Sequence, residues 1–284
     1  MKYSVIVCSR LDPASMNIRK QLLEIYNWHK NGTFDADPIF IGEEMEGLAL
    51  VTVSCDSIHA EYLNSLPFKV KRFIFATRHE SVAKVPSLLA HFPGNWLDDN
   101  RFGGKPKMLS IADPVALKTA LKVLAKMKEE LNLEKYDVTA EVTHHGPTTL
   151  KAPVVFIEIG SDYPEWHDPK AAQAVAYACY EAAKAELKTD NNVALGFGGT
   201  HYAPKFTKIL LNTDNWFLSH MASKYVINET FDPKMIRQAI KKSAVPPKFA
   251  LLDWKGLNKE QRDFLMQYLK RFGLNIMKAR DVFK

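Results

Sequence analysis

Two adjacent histidines before a chain break, in Thr143-His144-His145-Gly146-Pro147-Thr148, are the residues of this sequence best placed to move protons. An imidazole changes charge near neutral pH and serves either as a general base or as a metal ligand. The run before them puts Tyr136, Val138, Ala140 and Val142 at alternate positions, the period of a strand with one buried face. Gly146-Pro147 then turns the chain. A buried-type apolar run, Val154 to Gly160, carries one carboxylate, Glu158, with Asp162 just beyond it. A third run, Val193 to Phe197, leads into Gly198-Gly199-Thr200-His201. Open α/β sheets bind ligands at strand ends, so His144, His145, Glu158, Asp162 and His201 are expected along one edge.

Such a set suits two chemistries. Zinc takes neutral imidazole and carboxylate in a tetrahedral site, whereas acid–base catalysis needs only the side chains. His144, His145, Glu158 and His201 form the pool for either role. Neighbouring residues of an extended chain point opposite ways, so the two histidines share an ion only if the strand has already ended. No His-Glu-x-x-His signature supports the metal locally. Gly198, Gly199 and Thr200 stand between a strand and a helix, where backbone N–H groups can cradle an anion. They match neither the P-loop nor the dinucleotide fingerprint, so no nucleotide cofactor is expected, and the absence of a Gly-x-Ser-x-Gly elbow argues against a serine hydrolase.

The elements that must position these groups alternate strand and helix. Asp12-Pro13, Asp113-Pro114 and Asp168-Pro169 read as N-caps with proline in the first turn, starting helices that run to about Tyr26, Leu131 and Leu187. Shorter helices are expected from Pro204 to Leu211 and after Asp232-Pro233, and a last one from Asn258 to Arg271, stopped by Gly273. Pro38–Ile41 and Leu48–Val53 read as a hairpin across an acidic turn; Phe73–Ala76, Leu88–Phe92 and Phe249–Leu252 read as further strands. His79 and His91 are then expected on loops at strand ends. The pattern predicts an α/β fold, a mostly parallel central sheet with helices on both faces and a smaller α+β elaboration. No linker divides it, so residues 1–284 are expected to form one two-lobed unit.

Of the 284 residues, 46% are hydrophobic and 25% charged, and no apolar run reaches the length of a membrane helix. The N-terminus enters a strand with no signal-peptide pattern, and a cytoplasmic monomer is the expectation. Cys8, Cys55 and Cys179 are isolated, which supports neither a disulfide framework nor a thiolate zinc site. The net charge of +6 is compatible with a polyanionic partner. Arg101, Lys105 and Lys107 flank Phe102 in a glycine-containing loop, a combination suited to a phosphate backbone. Lys118, Lys122 and Lys126 recur at helical spacing as a basic stripe.

Thr143 to Thr148, Glu158-Ile159-Gly160-Ser161, Trp166 and Gly198 to Pro204 resemble the D-aminoacyl-tRNA deacylases of archaea and plants. Ser15-Met16-Asn17-Ile18, Arg78 to Ser81 and His91 to Asn95 match that family as well. The resemblance spans nearly the whole chain. It implies hydrolysis of the ester between a D-amino acid and the tRNA 3′ end, zinc dependence, and a core like that of peptidyl-tRNA hydrolases and nucleoside phosphorylases. Asn17, His79, His91 and Asn95 join Gly198, Gly199, Thr200, Arg101, Lys105 and Lys107 as expected substrate contacts. Two other readings remain: a peptidyl-tRNA hydrolase or nucleoside phosphorylase on a similar scaffold, and an RNA-binding module whose histidines are structural.

Overall fold

The computed structural model describes residues 1–186 and 192–283. Two sheets carry the architecture. The larger has eight strands: β1 (Tyr3–Ser9), β2 (Trp28–Phe34), β3 (Asp37–Gly42), β4 (Leu48–Val53), β5 (Val70–Glu80), β6 (Ser87–His91), β9 (Asp137–Ala140) and β10 (Val154–Ser161). The short pair β7 (Gly94–Asn95) and β8 (Met108–Leu109) is separate. Across the larger sheet the strands lie in the order β2-β3-β4-β1-β5-β10-β6-β9. Its centre is parallel, β4, β1, β5 and β10 running together, and β6 pairs antiparallel to β10. The smaller sheet consists of β11 (Asn192–Phe197), β12 (Trp216–Ala222), β13 (Phe249–Leu252) and β14 (Asn275–Lys278), all parallel, in the order β12-β11-β13-β14.

Three Asp-Pro starts do what their chemistry predicts. Asp12, Asp113 and Asp168 each accept a backbone N–H in the first turn of α1 (Pro13–Ile25), α2 (Pro114–Glu130) and α4 (Pro169–Lys184), past the one-turn α3 (Tyr163–Trp166). The helix expected to reach Leu187 ends at Lys184, and Leu187 lies outside the described residues. Further on, α5 spans Pro204–Asn212, α6 Lys234–Lys241 and α7 Lys259–Arg271; a capping box between Asn258 and Gln261 opens α7. Among the described residues no helix is long and apolar enough to cross a membrane.

Helices cover both faces of the smaller sheet, α6 and α7 on one and α5 on the other. The larger sheet departs from expectation. Its Ile6, Leu50, Ile74 and Ile157 face packs on α1, α2 and α4, but its Val7, Val51, Phe75 and Phe156 face is closed by two 3-10 turns, Ser57–His59 and Glu61–Ser65, and by Leu150 and Ala152. The 54–69 segment is too short and too broken by polar residues to present a helical stripe. The predicted hairpin is present as β3 and β4. The edge strand β2 was not expected: its His29 to Thr33 stretch is exposed on both faces and carries no alternation.

The basic stripe on α2 does not survive folding as a free surface. Lys118 is buried, and its amine donates to the carbonyls of Asp214 (2.9 Å) and Trp216 (2.7 Å). Burial, reinforced by the charge of Lys122, pushes its pKa down to about 8. Lys122 pairs with Asp214 and Lys126 with Glu130.

Candidate active site

The site lies where the two sheets are sewn together. After β9 ends at Ala140, four consecutive residues bond to both sides, the outer two to the larger sheet's side and the inner two to the smaller's: Glu141 N–H to Ala90 O (3.2 Å), Val142 N–H to His201 O (3.0 Å), Thr143 N–H to Met221 O (2.9 Å) and His144 N–H to Phe92 O (3.3 Å). Thr143 Oγ1 also meets His220 Nδ1 at 3.1 Å. The chain then takes a left-handed conformation at His145 (φ 47°), an uncommon choice for a non-glycine residue. This bend answers the question of the adjacent histidines. Their rings lie 4.5 Å apart, centre to centre, on the same side.

Around them gather the other imidazoles and two carboxylates. His144 lies 4.2 Å from the His91 ring and 4.5 Å from the His201 ring. Glu158, in the middle of β10 between β5 and β6, accepts from Thr77 Oγ1 (2.9 Å) and lies 3.5 Å from both His79 Nδ1 and His91 Nε2. Glu141, fully buried, stands 3.5 Å from His79 Nδ1 and 2.9 Å from His201 Nε2. That second approach is too misaligned for a hydrogen bond, so both Glu141 oxygens lack a donor. A cavity of about 320 Å³ opens onto the group, walled by His79, His144, His145, Glu158 and His201 and closed by Phe102, Phe156, Ile58, Arg78 and Asp12.

The histidines divide electrostatically. Burial, then the neighbouring imidazole of His91, holds His144 well below its ordinary value and His145 down at about 3. Both are neutral at pH 7. Each directs Nδ1 at a backbone carbonyl, Val142 O (2.8 Å) and Gly146 O (2.6 Å), which assigns the proton to Nδ1 and leaves the lone pair on Nε2. His79 and His91 go the other way. Burial disfavours their charge, but contact with Glu158 and the charge of Glu141 outweigh it and raise both. Glu158 is held well below the usual carboxylate range because those two imidazoles more than offset its burial. The site therefore sets two neutral bases beside a charged, internally paired layer.

Several sequence expectations change. His79 is a residue of β5 and His91 the last residue of β6; neither is on a loop. His201 arrives from the smaller sheet, so the cluster straddles two sheets and is not one edge of one sheet. Asp162 turns away, capping α3 and pairing with Lys84 at 2.6 Å. Asn17 donates to the carbonyls of Trp166 (3.1 Å) and Asp168 (3.2 Å), and is a brace between helices. Gly198 and Gly199, in left-handed conformations, close on Asp253: a Cβ on Gly199 would lie 3.1 Å from its carboxylate. The anion this turn faces is therefore Asp253 itself, which is paired with Lys205. Thr200 lines a different cavity, with Tyr202 and Thr207. Sequence reasoning passed over Glu141, whose one signal was a carboxylate between two apolar strand residues, and Tyr202, whose hydroxyl lies 3.2 Å from His79 Nε2 and donates to Ser81 at 2.9 Å.

The basic loop folds over the cavity. Asn95, buried, donates to Gly103 O (2.9 Å) and Lys105 O (3.1 Å) and so shapes the loop from within. Gly146 N–H donates to Phe102 O at 3.0 Å, and the Phe102 ring forms part of the cavity wall. Arg101 pairs with Asp99 (2.7 Å) and Lys107 with Asp98 (2.6 Å).

Among the described residues, three sets of donors lie close enough to hold a cation, each within 4.8 Å: His91 with His144 and His145, Glu141 with His144 and His201, and His79 with Glu141 and Glu158. Glu158 sits with His79, not with His144 and His201, because β10 runs on the far side of β6 from β9. The predicted pool of His144, His145, Glu158 and His201 is thus divided among different sets. The second set has the donor chemistry zinc takes, and its carboxylate is the one left without hydrogen bonds.

Residues 66–277 match the family model described as D-aminoacyl-tRNA deacylase. A protein of that name from Pyrococcus furiosus is 37% identical over 96% of this chain and 99% of its own, and one from Methanosarcina barkeri is 36% identical over 98% and 90%. A crystal structure of the conserved protein of unknown function AF0625 superposes with a TM-score of 0.89 at 30% identity, covering 99% of this chain and 96% of that one. The chain belongs to the D-aminoacyl-tRNA deacylase family.

Proposed function

We propose that this protein hydrolyses the ester joining a D-amino acid to the 3′ end of tRNA, releasing the free amino acid and tRNA, and that it does so in the cytoplasm. The observation that carries the reading is a pair of neutral imidazoles, each with its Nε2 lone pair, on the wall of an open cavity beside a charged His79–Glu158–His91 layer. In this reading, with no metal bound, His144 Nε2 takes a proton from water as its oxygen attacks the ester carbonyl. Charge on the tetrahedral oxygen is met by the positive side of the cluster, His79 foremost. The bond to the ribose 3′ oxygen then breaks, and that oxygen recovers the proton. Phe102, Phe156 and Ile58 supply an apolar wall for the aminoacyl side chain. The likeness of the core to peptidyl-tRNA hydrolases and nucleoside phosphorylases belongs to the same reading, supported by the parallel centre of the larger sheet.

Zinc fits the residues present. Glu141, His144 and His201 would hold it, and their unsatisfied carboxylate supports that assignment; His144 Nε2 would then be a ligand, and the base would be the Nε2 of His145. When bound, zinc supplies Lewis-acid polarisation and lowers the pKa of water. One assay tests both parts. D- and L-aminoacyl-tRNA, N-blocked aminoacyl-tRNA and a nucleoside are offered before and after chelation and zinc return. Selective turnover of the D-ester is expected, lost on chelation and regained with zinc. Equal rates on both enantiomers, or none, overturn the deacylase reading. Full turnover by metal-free protein overturns the zinc assignment and leaves His144 as an unaided base.

A further inference from the structure

The positive charge of this chain is not concentrated where its sequence motifs suggest. Residues 216–284 hold 14 Lys and Arg against 6 Asp and Glu, whereas residues 1–215 hold 24 against 26, so the last quarter carries the whole excess. In the 101–107 loop and on α2 the cations are largely cancelled where they stand, Arg101 by Asp99, Lys107 by Asp98 and Lys122 by Asp214. In residues 216–284 the only ion pair made by a basic side chain, among the described residues, is Arg280 with Asp281.

The smaller sheet brings part of this surplus to one edge. Its strands are all parallel, so their carboxyl ends share a side, in the spatial order β12, β11, β13, β14. From those ends emerge, in turn, Lys224 and Tyr225, the Gly198–Gly199 turn, Trp254 and Lys255, and Lys278. Trp254 gathers two cations over its ring, Arg262 at 4.9 Å and Lys278 at 4.7 Å from its centre; Tyr225, 62% exposed, holds Lys224 at 5.1 Å. An aromatic face fixes a cation without neutralising it, so these heads stay charged and ordered. Beside Trp254 a cleft of about 390 Å³ opens, lined by Lys270 and Lys278. The edge is continuous with the histidine cavity: Lys224 N–H donates to Gly199 O (3.0 Å), and His201 follows two residues after that glycine.

We propose that this edge, with Lys224, Arg262 and Lys278 set on Tyr225 and Trp254, binds the sugar–phosphate backbone of the tRNA whose 3′ ester enters the histidine cavity. The proposal rests on the deacylase reading for the identity of the RNA. Cations held at a parallel sheet's carboxyl edge are what a polyanion requires; the Asp253 carboxylate at this edge is paired with Lys205, and the edge leads directly to the site where the strand must end.

The test measures binding of uncharged tRNA over a range of salt, with thermal melts as a check on folding. Lys224→Glu with Lys278→Glu is expected to weaken binding ~10-fold or more. Lys255→Gln with Lys270→Gln, at exposed lysines, is expected to flatten the salt slope by ~1 for each phosphate no longer neutralised. Folded variants with wild-type affinity and slope overturn the proposal, as does wild-type protein that fails to bind tRNA. Wild-type protein that binds tRNA through this edge but leaves the D-ester intact overturns the deacylase reading alone.

Discussion

Glu158→Gln is expected to cost both stability and turnover. The carboxylate lies buried between His79 and His91 and takes a hydrogen bond from Thr77. Removing one partner from a buried charged network leaves the others uncompensated, at a cost of ~3–5 kcal/mol. Turnover should fall ~10²–10⁴-fold, the usual worth of a positioned acid–base system. The pH dependence has a definite sign. Glu158 is depressed from 4.5, so its contribution is present above pH 4.5 and is lost as pH falls through its lowered value. His79 and His91 are raised from 6.5, so theirs is fully present below pH 6.5 and is lost as pH rises through their raised values. The stability difference between wild type and Glu158→Gln should therefore be largest between pH 4.5 and 6.5 and shrink on either side. Chemical denaturation across pH reads this directly. A difference independent of pH would show that Glu158 acts through packing alone.

Gly146→Ala should open the cavity lid. A Cβ at this position would lie 2.5 Å from Ile58 O and 2.6 Å from Gly103 C, both backbone atoms that no rotamer change can move aside. The loop must back away, breaking the Gly146 N–H to Phe102 O bond and withdrawing the Phe102 wall. Overpacking of this kind costs ~1–3 kcal/mol. The larger effect should fall on catalysis, because the displaced loop no longer encloses the aminoacyl group. A melting point lowered by several degrees, faster proteolysis within residues 100–107 and a marked rise in KM are expected. Gly32→Ala is the control, since its Cβ would meet nothing within 4 Å and only the local turn is strained. Equal behaviour of the two variants would refute the packing argument.

The helices were legible because their starts are local. An aspartate followed by proline satisfies an exposed N–H and presets φ whatever the rest of the chain does, and α1, α2 and α4 all begin that way. The buried-type strands were legible for a similar reason, since β13 is a continuous apolar run and β10 one interrupted only by Glu158 before its terminal Ser161. The histidine motif announced itself through residue type alone. Which groups meet is a different kind of fact. His201 reaches His144 only because residues 141–144 divide their hydrogen bonds between the two sheets' sides, and Glu158 is assigned to His79 and His91 by strand order. Neither is encoded within any window of the sequence.

Charge followed the same division. That lysines occur at 118, 122 and 126 is sequence; that one is buried against backbone carbonyls and the others meet acids is decided by the turn before β12 and by helical spacing. The glycine turn at 198 and 199 looked like an anion cradle until folding set Asp253 against it. By itself the sequence determined the helix starts, the apolar strands, the family motifs and the store of imidazoles, because these depend on residue type and short-range spacing. Only the tertiary structure decided which imidazoles are driven towards the neutral form and which towards the charged one, because a pKa depends on burial and on charges a few ångströms away that are far off along the chain.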